Sequence, residues 1–170
     1  MSIIFQNQNP DPNHVLSTID MEQIMSQIEN NDYLKGKTAD LICEDIVSSL
    51  ETFSQGLLHG LSHGLSHGLS QDSKKRICKK LLGYRHIENI CDIRLGRFTR
   101  WIPIDPIKPP TLQSGGMAVN VKIEEDVQIV CKTYSHRGFL TCRFNESIVF
   151  QKMSEEENLI LLANEYLQRI

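Results

Sequence analysis

The sequence predicts an α+β protein, with an N-terminal α-helical region followed by a small antiparallel β-meander or barrel and a closing C-terminal helix. Apolar residues recur at helical spacing as far as about residue 83, and the period drops to two beyond about residue 92. The strand-like segments are joined by turns too short for a parallel crossover, so consecutive strands are expected to run antiparallel. With 170 residues, 40% of them hydrophobic and 23% charged, the chain has the composition of an ordinary globular protein of one domain or two small ones.

Residues 1–16 are rich in Asn, Gln, Asp and Pro and are expected to form a disordered lead-in, because they carry too little apolar surface to offset the entropy of ordering. Asp20 caps a first expected helix, with Gln23 at the capping-box position and Met21, Ile24, Met25 and Ile28 at helical spacing. Thr38 caps a second, whose apolar face is Leu41, Ile42, Ile46, Val47, Leu50 and Phe53. That stripe continues into a tandem His-Gly-Leu-Ser repeat over about residues 56–70, where Leu57, Leu61, Leu65 and Leu69 recur every fourth residue. Gly56, Gly60, Gly64 and Gly68 together cost roughly 3–4 kcal/mol against Ala in a helix interior, so the repeat reads as a helix on contact and a spacer otherwise. A third amphipathic segment, about residues 73–83, sets Ile77, Cys78, Leu81 and Leu82 against Lys74, Lys75, Lys79 and Lys80, and Gly83 ends it.

The β region, residues 91–170, is expected to begin with a strand in 93–104 and a proline-punctuated loop from Pro103 to Pro110. Gly115-Gly116 leads into Met117–Ile123, where Met117, Val119, Val121 and Ile123 alternate with small or polar residues, as in a half-buried strand. Further strands are expected at about 127–134, 138–144 and 147–152. Ser154 and Glu157 form a capping box for a helix over about 155–168.

The segments IRLGRFTRWI, LQSGGMAVNVKI, VQIVCKTYSHRGFLTCRF and SIVFQKM together resemble a small β domain in uncharacterised proteins of nucleocytoplasmic large DNA viruses, over about residues 92–153. The resemblance implies a viral origin, placing the protein in the virion or the infected host-cell cytoplasm. It implies no chemistry.

Charge is divided along the chain. Residues 1–70 hold nine acids and two bases, residues 71–110 ten bases and four acids, and residues 111–170 six bases and eight acids. The leading expectation for function is a non-catalytic structural or accessory interaction protein. Its helical region, residues 17–90, would engage a protein partner or another copy through Leu41, Ile46, Leu50, Leu57, Leu61, Leu65 and Leu69. The rival is a nucleic-acid-binding factor using the basic segment 74–101, with Lys74, Lys75, Arg76, Lys79, Lys80, Arg85, Arg97 and Arg100 as phosphate contacts and Tyr84, Phe98 and Trp101 among them.

An enzyme is the third alternative, but nucleotide-loop and Gly-x-Ser-x-Gly spacings are absent. On a helix His59, His63 and His67 rotate by about 40° per step, so a neighbouring pair could meet one metal ion while all three could not. Zinc wants three or four protein ligands and no further cluster supplies them, so no metal or cofactor is expected. Five dispersed cysteines, with no recognisable export signal at the start and no apolar run of membrane-spanning length, fit free thiols in a protein that is not secreted.

Overall fold

A computed structural model describes Ser26, Leu34 and residues 36–60, 70–105, 108, 110–134 and 138–169; for residues 53–60 it describes the backbone only. Of the expected helix after Asp20 only Ser26 is described, as helical, and the repeat from Leu61 to Leu69 lies outside the described residues.

Helix α1 (Ala39–Gly60) begins at Thr38, whose Oγ1 accepts the Leu41 amide. Its backbone remains helical through the first repeat residues, Leu57 and His59 included. Helix α2 (Gln71–Lys80) starts at Ser70, whose side chain accepts the Ser73 amide. Strands β1 (Tyr84–Ile87), β2 (Phe98–Pro103), β3 (Gly116–Ile123), β4 (Val127–Lys132), β5 (Phe139–Arg143) and β6 (Ser147–Lys152) follow, and α3 (Glu155–Gln168) ends the described chain. The expected capping box at Ser154 and Glu157 is present in both directions.

All strand pairs are antiparallel, in the order β1-β6-β2-β3-β4-β5. The run β2 to β5 is the expected meander. Strand β6, however, does not pair with β5; after a short 3₁₀ turn at Phe144–Glu146 it inserts between β1 and β2. Hydrophobicity explains this placement. Ile148, Val149 and Phe150 are consecutive and buried, so this strand has apolar residues on both faces and belongs in a sheet interior, not at an edge.

The two faces of β6 serve two cores. Val149 joins Ile87, Trp101, Ala118, Ile129, Cys131 and Cys142, a cluster drawn from all six strands on one side of the sheet, its inner side. Ile148 and Phe150 instead meet Ile42, Ile46 and Leu50 of α1, Ile77 of α2 with Leu81 just past its end, and Ile160 and Leu161 of α3. The helices and sheet therefore share one packed body. Strand β1, within the segment expected to be helical, is part of that sheet and crosses the expected boundary near residue 90.

Glycine is required where β3 enters. Gly115 has φ +77°, and a Cβ there would sit 2.1 Å from the Thr99 carbonyl oxygen; at Gly116 a Cβ would meet the Lys132 carbonyl oxygen at 2.6 Å. The Gly-Gly pair thus admits three strands to close approach.

Candidate nucleic-acid interface

Helix α2 carries the exposed part of the basic segment. Ile77 pins it to the core, with Leu81 just past its end, while Lys75, Arg76, Lys79 and Lys80 are exposed on its outer side. None of those four is ion-paired among the described residues. Arg76 Nε donates to the Asp72 carbonyl.

The other four bases of the expected set have internal duties. Lys74 reaches Glu51 at 2.9 Å and ties α2 to α1. Arg85 is 5% exposed; its Nε lies 3.4 Å from Glu157 Oε1, and its Nη2 donates to the Asp92 carbonyl at 2.9 Å. Arg97 pairs with the other carboxylate oxygen of Glu157, which also accepts the Ser154 amide. Arg100 donates to the carbonyls of Gln113 and Lys80, joining β2 to the end of α2. Arg85 is therefore corrected from a phosphate contact to a buried structural cation, and Arg97 and Arg100 act first as braces. Proximity in sequence concealed this, because the carboxylate that binds Arg85 and Arg97 arrives from α3.

The aromatic residues divide in the same way. Trp101 is 6% exposed and belongs to the inner core. Tyr84 packs against the helical core. Phe98 lies on the face opposite Trp101, where its ring is nearly parallel to that of Tyr134, with centroids 6.3 Å apart. Direct cross-strand pairing then sets Phe98, Met117, Lys132 and Phe139 in one row across β2, β3, β4 and β5. Tyr134 and Phe139 are 74% and 67% exposed. Sequence reasoning missed both. The available signal was Phe139 lying out of phase with the inward Cys142.

The residues expected to face a partner also separate. Ile46 and Leu50 are buried against the sheet, which corrects their expected role; Leu41 is 40% exposed. The backbone at Leu57 is helical, and Leu61, Leu65 and Leu69 lie outside the described residues, as do His63 and His67. No group of three or more His, Cys, Asp or Glu suited to a metal occurs among the described residues, and no described helix is long and apolar enough to cross a membrane.

Two concavities flank α1. One, of about 520 Å³, lies between α1, β1 and the β5–β6 turn and contains Ser49 and His86 at 3.0 Å. Ser49 Oγ lies within hydrogen-bond distance of both the Asp45 carbonyl oxygen, at 2.8 Å, and His86 Nδ1. Burial pushes the His86 pKa down despite Glu88 and Asp45 nearby. The other concavity, about 430 Å³ between α1 and α2, is lined by Cys43, Val47 and Cys78. Burial raises both thiols, which keeps them protonated and weakly nucleophilic.

Comparison with known proteins places this chain beside a giant-virus protein of no assigned activity. It is 29% identical over 100 residues to uncharacterized protein L202 of Acanthamoeba polyphaga mimivirus, an alignment covering 59% of this chain and 64% of that protein. The similarity agrees with the resemblance to large-DNA-virus proteins seen in the sequence. No family model matches the chain. No solved structure matches it either.

Proposed function

We propose that this chain is a non-catalytic, virus-encoded accessory protein that binds nucleic acid, acting in the virion or the infected-cell cytoplasm. The observation that supports this reading is the outer side of α2, where Lys75, Arg76, Lys79 and Lys80 are exposed together without carboxylate partners among the described residues. Phosphate binding by such a cluster releases counterions, so affinity should fall steeply with salt. Four contacts give a slope of log K against log salt of roughly −3 to −4. Fluorescence anisotropy with labelled oligonucleotides tests the reading, and neutralising the four residues to Gln should flatten the slope. Absence of binding at low salt to single strands and duplexes alike removes it.

A second reading, engagement of a protein partner or another copy, is favoured by exposed apolar residues at one end of the molecule. Ala39 N donates to Glu165 Oε1, which brings the start of α1 to α3 and sets Leu41 at the same end as the exposed Leu162 and Tyr166. Light scattering over a range of concentrations checks self-association: a rise in mass that Leu41→Asp abolishes supports a second copy, and a constant monomer mass removes that form of the reading.

A further inference from the structure

Among the described residues the helices leave one half of the outer sheet face uncovered, and that geometry points to a single-stranded polynucleotide as the ligand, stacked on Tyr134 and Phe139 while its phosphates run toward α2. This inference rests on the nucleic-acid reading and narrows it from any polyanion to one with unpaired bases.

Helices cover only part of that face. The core they form with the sheet takes Ile102 from β2 and Ile148 and Phe150 from β6, with Tyr84 of β1 against it, and no residue of β3, β4 or β5. The inner side of those three strands is filled by Ala118, Ile129, Cys131 and Cys142. Their outer side carries Met117, Lys132 and Phe139, which continue a row from Phe98 of β2, with Tyr134 on Phe98.

A solvated outer face has little reason to hold two aromatic rings at 74% and 67% exposure beside a lysine. Three inter-strand steps span roughly 14 Å. An exposed four-stranded face of this width is enough to stack two or three unstacked bases, and stacking tolerates any base because every base has a π face. Duplex bases are already stacked and cannot use it.

Charge gives the track a direction. Arg100 lies two residues from Phe98 on the same side of β2 and is bonded to the Lys80 carbonyl, so the aromatic row continues into the exposed lysines of α2. Lys132 supplies a cation within the row itself. At the opposite end of β3 and β4, the exposed hairpin Glu124, Glu125 and Asp126 repels phosphate and bounds the track.

The test measures binding of the full chain to oligothymidylate, oligouridylate and a duplex of equal length at low salt, for the native protein, for Tyr134→Ala and Phe139→Ala singly and together, and for the α2 charge variant. Both aromatic residues are exposed, so their removal should leave the fold intact, which a denaturation midpoint verifies. Single strands should bind more tightly than duplex, and each aromatic deletion should weaken single-strand binding by roughly 5- to 100-fold with little effect on duplex. An aminopurine placed in the oligonucleotide should be quenched by the native protein and less by the aromatic variant. The two single-strand arms decide between DNA and RNA. Equal binding of duplex and single strand, with aromatic variants indistinguishable from native, overturns this inference and leaves the α2 reading standing. Failure of every oligonucleotide to bind overturns both.

Discussion

Glu157 should be the most stability-sensitive exposed-looking residue in the sequence, because its carboxylate serves two functions at once. It closes the α3 capping box by accepting the Ser154 amide at 2.7 Å, and it lies between Arg85 and Arg97 at only 8% exposure. Glu157→Gln separates the roles. Glutamine can still close the capping box, but it removes the carboxylate charge beside the Arg85 guanidinium, which is buried at 5% exposure. Removing one partner from a buried pair costs about 3–5 kcal/mol. Glu157→Ala adds the lost cap, about 1 kcal/mol more. Arg97 is 28% exposed at its side chain, so water screens its share and Arg97→Gln should cost well under the Glu157 change. Against a total stability of about 5–15 kcal/mol, the glutamine variant loses a large fraction. Urea unfolding followed by the single tryptophan, Trp101, which is 6% exposed, reads the difference directly. A glutamine variant within about 1 kcal/mol of native would refute the reasoning, since it would mean that Arg85 and Glu157 are not desolvated.

Three further predictions concern other elements. Burial lowers the His86 pKa below its ordinary 6.5, so the unfolded state takes up the proton first on acidification. Stability should thus be full above about pH 6.5 and fall as pH drops toward the folded value; His86→Gln should remove that slope in denaturation curves measured across the range. Burial pushes Cys131 up to about 11 and Cys142 up to about 12, whereas Cys91 is exposed. Maleimide labelling of native protein should modify Cys91 first, with Cys131 and Cys142 protected until denaturant is added, as peptide mass mapping would show. Gly116→Ala places a methyl 2.6 Å from a backbone oxygen of β4, an overpacking cost of about 1–3 kcal/mol, visible as a lowered urea midpoint.

Local signals read well from the sequence. Ser154 and Glu157 predicted the start of α3, Thr38 the start of α1, and alternation the strand following Gly115-Gly116, because caps and pleats depend on residues a few positions apart. Strand β1 was not legible: Tyr84-Arg-His-Ile87 is short and polar, and it exists as a strand because β6 pairs with it. The composition of residues 74–101 revealed a basic segment but not its division. Arg85 and Arg97 turn inward to one carboxylate from α3, while Lys75, Arg76, Lys79 and Lys80 remain outside.

What the sequence determined by itself is the α+β class, the positions of most elements, the viral resemblance and the charge polarity. Class, element positions and charge polarity follow from periodicity, capping or composition within a short window, and the resemblance rests on four short segments between about residues 92 and 153. The tertiary structure alone decided where β6 sits, which bases are bound internally, and that Phe98, Met117, Lys132 and Phe139 form one row. These are consequences of register between strands distant in sequence. A side chain's availability is set by what the rest of the chain brings against it, and among the described residues the helices cover one half of the outer face and leave the other half open.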